Sequence, residues 1–134
     1  MKLLHVSLLI TTDLLDLAAL SKRLGYEPSS GSHDKDAARA GDRPAFDKTI
    51  WRLDSSAPNS APLMKHCETI STKLSAKEIL HPGRLPKDAK IYLDIAAFFS
   101  EASCTVNIPK ECVDFAMSYH AEIEVSCYPS DQNP

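Results

Sequence analysis

Apolar side chains recur at every second position from Leu4 through Val6 and Leu8 to Ile10, with His5, Ser7 and Leu9 between them. This is the period of a β-strand with at least one buried face. Thr11-Thr12-Asp13 then supplies a helix N-cap, with Asp13 or Asp16 favourable near the helix's positive end. Leu14, Leu17, Ala18, Ser21 and Leu24 follow at helical spacing, and Gly25 suits the left-handed position just past a helix end. Residues 26–47 change character, with Pro, Gly, Ser and charge but little apolar periodicity, and predict a long polar loop. Loops beyond about 15 residues are uncommon in compact domains, so this one is expected to be the most mobile segment or a functional one.

Lys48 to Leu53 predicts a short strand holding the only tryptophan, Trp51. Pro58-Asn59-Ser60 breaks the chain and caps a second helix, along which Leu63, Cys67, Ile70 and Leu74 keep a regular stripe. Ser75-Ala76-Lys77-Glu78 matches a capping box, so this helix either continues to Leu80 or restarts at Ser75. Lys90 to Phe99 reads as the most hydrophobic strand, with Ile91, Leu93, Ile95, Ala97 and Phe99 on one face. A further strand is expected at Cys104 to Ile108. Pro109 opens a helix through Tyr119, with Cys112, Val113, Ala116 and Tyr119 inward. The last strand sets Ala121, Ile123, Val125 and Cys127 against Glu122, Glu124, Ser126 and Tyr128, before a polar tail at 129–134. The order is β-α-β-α-β-β-α-β, an α+β class. The expected architecture is a mainly antiparallel five-stranded sheet with about three helices on one face and the other face partly open.

Length fits this reading, because 134 residues make one ordinary domain, 1–134, with enough chain for a core without staples. The composition, 43% hydrophobic and 25% charged, is that of a globular chain and not a disordered one. The apolar N-terminus is interrupted by His5 and Ser7 and followed by Asp13 and Asp16, so it reads as a buried strand and not a signal peptide. No apolar run reaches the roughly 20 residues of a membrane span. Cys67, Cys104, Cys112 and Cys127 form no C-x-x-C pair and fall on apolar faces. They read as reduced core thiols of a cytoplasmic protein, with a Cys104–Cys127 bridge as the alternative.

Charge is uneven along the chain. Residues 88–134 hold eight acidic side chains against two basic ones, whereas the first 87 residues are net positive. Such an acidic second half disfavours nucleic acid and suits a basic protein partner.

Catalytic signatures are missing: no G-x-S-x-G, phosphate loop, dinucleotide fingerprint or H-E-x-x-H is present, and the reading is non-enzymatic. His33 with Asp34 and Asp36 is too loose a set for a metal site, so no metal and no cofactor are expected. His120 falls at a helix end, where an imidazolium is favourable without any catalysis. The strand pattern instead gathers His5, Ser7, Tyr92, Asp94, Glu122, Glu124 and Tyr128 on the helix-free face, with Trp51 beside them and Glu101 near the edge. Tyrosine and tryptophan among carboxylates make a plausible protein-binding surface.

Three stretches carry a family resemblance. They are Leu24-Gly25-Tyr26-Glu27-Pro28, then Thr49-Ile50-Trp51-Arg52-Leu53, and Val106-Asn107-Ile108-Pro109 through Cys112-Val113-Asp114-Phe115-Ala116 to the strand 121–128. With them the chain resembles the bacterial family catalogued as domain of unknown function 4279. The resemblance implies no catalytic residues. Some members adjoin polymorphic toxin genes, which implies an immunity role: binding and neutralising a cognate basic toxin, for instance a nuclease. The alternative is a housekeeping or regulatory domain that binds a small ligand or a protein, and a third class is an enzyme with an unfamiliar site.

Overall fold

Alternation along β1 (Lys2–Thr12) holds through its whole length, burying Leu4, Val6, Leu8 and Ile10 on one face of the sheet. The computed structural model describes residues 2–30, 32, 34, 48–77 and 85–129. After β1 come α1 (Leu17–Leu24), β2 (Thr49–Asp54), α2 (Leu63–Lys77), β3 (Lys90–Phe99), α3 (Lys110–Ser118) and β4 (Ala121–Pro129). The described strands form one sheet in the order β2-β1-β3-β4. The β1–β2 and β1–β3 pairs are antiparallel, and β3–β4 is parallel.

Among the described residues the sheet therefore has four strands and is mixed, where five mainly antiparallel ones were expected. Residues 104–108 keep their alternation, with Cys104, Val106 and Ile108 half-buried and Thr105 and Asn107 exposed, but they join no ladder. The pattern is satisfied by packing on the core as the chain returns from β3 toward α3. Lys2 fastens this return by donating its ammonium to the Thr105 carbonyl. The return makes β3–α3–β4 a crossover, and parallel strands require one of this kind.

Helix starts are set by local hydrogen bonds. The Asp88 carboxylate accepts from Thr12 Oγ1 at 2.5 Å and from the Asp13 N–H at 2.7 Å, while the Leu14 N–H donates to Thr12 Oγ1 at 3.0 Å. These bonds hold residues 12–14 in a turn, so α1 begins only after Asp16, whose Oδ1 accepts from the Ala19 N–H at 2.8 Å. Leu14 is accordingly outside the core, and the buried stripe of α1 is Leu20 and Leu24. Gly25 closes the helix at φ 73°, the left-handed conformation that glycine adopts without a Cβ clash.

The α2 stripe matches its expectation: Leu63, Cys67, Ile70 and Leu74 are all buried. This helix runs through Ser75 to Lys77, and the extension to Leu80 lies outside the described residues. On α3, Cys112 and Ala116 are buried but Val113 is exposed, because it lies about 100° around the helix from Cys112. All strand residues of the core share one sheet face with the three helices, and the opposite face bears no described helix.

Two expectations are corrected by burial. Trp51 is fully buried in the core with Tyr26 edge-on at 6.5 Å, so it is not on the helix-free face. The cysteines divide: Cys67 and Cys112 are buried, Cys104 is half-buried, Cys127 is exposed, and all four are free thiols. Most of the expected loop 26–47 and of the tail lies outside the described residues. Its opening part runs along the outer edge of β2. There the Ser29 N–H donates to the Arg52 carbonyl at 2.7 Å, Ser32 Oγ accepts from the Arg52 N–H at 3.0 Å, and Ser29 Oγ accepts from the Asp54 N–H at 2.9 Å.

Candidate functional site: the helix-free face of the sheet

Register places the side chains of this face in rows across the strands. One row runs Asp54, Ser7, Asp94, Glu124, and the next runs Arg52, Leu9, Tyr92, Glu122. A third carries Leu3, Phe98 and Tyr128. With strands about 4.8 Å apart, the carboxylate row extends across roughly 14 Å.

Its two ends differ in how their charge is met. Asp54 Oδ1 accepts from Ser7 Oγ at 2.6 Å and from Arg52 Nε at 2.9 Å, with His5 Nε2 at 4.0 Å. This carboxylate is neutralised and fixed, and Ser7 is fully buried beneath its neighbours. Asp94 and Glu124 stand directly opposite each other on adjacent strands. Neither has an ion pair or side-chain hydrogen bond among the described residues, nor has Glu122. Like charges in this relationship destabilise a sheet.

Phe98 and Tyr128 stack with ring centroids 5.3 Å apart and planes 22° from parallel, and both rings are exposed. Glu101 follows just after β3, at the end where this aromatic pair sits, and accepts from Ser100 Oγ at 3.2 Å. The structure thus brings together Tyr92, Asp94, Glu122, Glu124 and Tyr128, sets Glu101 beyond the sheet's end and removes Trp51. Sequence reasoning missed Arg52 and Asp54, and it put Phe98 on the face with Tyr92 and Asp94 without counting it in the site. The signal for Arg52 and Asp54 was the continued alternation of β2: Trp51 and Leu53 face inward, so Arg52 and Asp54 face outward.

His66 is buried on α2, and its Nδ1 lies 2.7 Å from Ser55 Oγ, which also contacts Thr69 Oγ1 at 2.9 Å and accepts from the Ala57 N–H at 3.0 Å. Burial holds this imidazole below its ordinary value of 6.5. The Ala61 carbonyl opposes the shift without hydrogen-bonding geometry, and His5 adds to it. A neutral ring with its serine already engaged on several sides ties the end of β2 to α2, and it offers no exposed nucleophile. Among the described residues no cluster of three His, Cys, Asp or Glu is placed to hold a metal, and His33 and Asp36 lie outside them. None of the described helices is long and apolar enough to cross a membrane.

Among the described residues this arrangement is an α+β fold with three helices on one face of a four-stranded mixed sheet and an acidic, aromatic surface on the other. The model of the family described as "Domain of unknown function (DUF4279)" matches residues 2–130, and the chain belongs to that family. Searches of curated proteins and of solved structures found no match.

Proposed function

We propose that the protein is a non-enzymatic binding domain whose helix-free sheet face receives a basic protein, and that this partner is a cognate toxin which the domain neutralises in the cytoplasm. The observation that carries the reading is the facing pair Asp94 and Glu124, left without a cation among the described residues. A domain that tolerates this repulsion gains when a partner's Arg or Lys enters between the two carboxylates. Charge-assisted bonds of that kind are shorter and stronger than neutral ones. Glu122 beside Tyr92, and the exposed Phe98–Tyr128 stack, add the mixture of charge and aromatic area typical of binding surfaces. Glu101 extends the acidic rim.

The test is calorimetric titration of the protein with the purified product of the adjacent gene, followed by a toxicity assay on co-expression. Binding that weakens with salt, together with rescue of growth, supports the reading. A neighbouring gene product that neither binds nor is toxic overturns it.

A second reading rests on a different place. A groove of about 480 Å³ between α2 and α3, lined by Met64, Cys67, Glu68, Ser71, Thr72 and Phe115, has the size of a small-ligand site. It favours the alternative of a regulatory ligand-binding domain.

A further inference from the structure

The two edges of the sheet are treated differently. Along β2 the segment containing Ser29 and Ser32 occupies the outer backbone groups of Arg52 and Asp54. Along β4, no described residue beyond β3 makes a backbone hydrogen bond to any position from Ala121 to Pro129. Uncovered strand edges are templates for pairing, and folded proteins ordinarily block them. This one is nine residues long and has a proline only at its last position.

The side chains bordering that edge are apolar on the helix side. Val125 is 41% exposed although it points to the face that carries the core. On α3, Val113 and Met117 lie one turn apart and are 37% and 67% exposed. They occupy the flank of α3 opposite Phe115, which lines the groove against α2. Because α2 packs on β1 and α3 on β4, the flank of α3 turned away from α2 lies on the β4 side.

We infer that β4 pairs antiparallel with β4 of a second copy, about a twofold axis at Val125, joining two sheets into one of eight strands. A twofold axis perpendicular to the sheet keeps all helices on one side and requires a residue at its centre. The register pairing all nine residues is centred on Val125, the middle of Ala121–Pro129. In it Glu122 meets the second copy's Tyr128, Glu124 meets Ser126, Ile123 meets Cys127, and Val125 meets itself. Centring on Ile123 or Glu124 would set glutamate directly against glutamate, which is destabilising. Full-length pairing and charge avoidance thus select the same register. It also brings Val113 and Met117 of the two α3 helices side by side, with their exposed apolar area turned inward. Two-fold homodimers are the commonest oligomers, and such an interface is self-complementary. The pairing uses the outer backbone of β4, Val125 and α3, whereas the proposed partner contacts the outward side chains, so Val125→Lys and Met117→Lys probe dimerisation without altering the acidic side chains.

The experiment is sedimentation equilibrium from low to high micromolar concentration, with site-directed cross-linking. The expected result is a reversible species of twice the 14.7 kDa chain, strengthened by salt because each copy carries net charge −3. Val125→Lys and, separately, Met117→Lys should each weaken association at least about tenfold with unchanged circular dichroism. In a background of Cys104→Ser and Cys127→Ser, Val125→Cys should form a covalent dimer on diamide oxidation, its two thiols losing two protons and two electrons to the diazene. Glu124→Cys should not, since its partner there is Ser126. A chain that stays monomeric at all concentrations overturns the inference and leaves the edge for a strand of another protein. A dimer indifferent to both lysines, or cross-linking at Glu124→Cys in place of Val125→Cys, overturns it equally.

Discussion

Cys67 and Cys112 meet thiol to thiol, sulfur 3.5 Å from sulfur, where α2 packs against α3, and Cys112 also approaches Met64 Sδ at 3.5 Å. Burial, and then the contact with Cys112, pushes the Cys67 thiol up to about 12; Cys112 is also raised, chiefly by burial. The thiolate is the reactive form, so these two thiols are inert in the folded state. Cys127 is exposed and Cys104, beside it, half-buried. Thiol titration of the native protein should therefore label Cys127 first and Cys104 more slowly, with Cys67 and Cys112 appearing only on denaturation. A Cys67 that reacts as fast as Cys127 would show that the helix layer opens readily.

Replacing Glu122 and Glu124 by lysine separates stability from binding. The double variant sets a lysine against Asp94 in place of a glutamate, exchanging repulsion for attraction. Its stability should equal or exceed that of the parent by up to about 1 kcal/mol. Affinity for a basic partner should fall, through a slower association rate and, for any carboxylate buried against an arginine, by roughly 2–5 kcal/mol. Denaturant unfolding and calorimetry read the two effects. A folded double variant that binds as tightly as the parent would remove this face from the account.

His66 gives the fold a pH dependence of definite sign. Its folded-state value lies below 6.5, so between the two values the unfolded chain holds more protons than the folded one. Stability from this group is complete above pH 6.5 and is lost as pH falls toward the folded value, with a slope of at most about 1.4 kcal/mol per pH unit. Urea unfolding across this range should show a flatter profile for His66→Gln than for the parent. Parallel profiles would exclude His66 as the source.

Ser29 and Ser32 stand in for a strand along the edge of β2. Alanine at either position leaves a backbone N–H of Asp54 or Arg52 without its hydroxyl acceptor and should cost about 0.5–1.5 kcal/mol. Amide exchange at those two N–H groups should accelerate in the same variants. Unchanged protection would mean that other groups cover this edge.

Much of this molecule is dictated locally. The alternation of β1, β3 and β4, the 4-3-4 stripe of α2 and the glycine closing α1 each place a residue on a face through a period that neighbouring residues alone define. Hence Tyr92, Asp94, Glu122, Glu124 and Tyr128 were assignable to one surface before any fold was known. What the chain's local pattern could not decide was which segment pairs with which. The same amphipathic alternation serves residues 104–108 as packing and β4 as ladder, because burying a face does not require a strand neighbour. Trp51 and Arg52 alternate equally well whichever way β2 is turned, and only pairing with Ile10 put the tryptophan in the core and Asp54 beside Ser7. The start of α1 was set by Asp88, 76 residues from the threonine it holds. The opposition of Asp94 to Glu124, and the β4 edge that no described strand covers, follow from the α3 crossover. Such contacts join residues far apart in the chain, and tertiary packing alone fixes their distances.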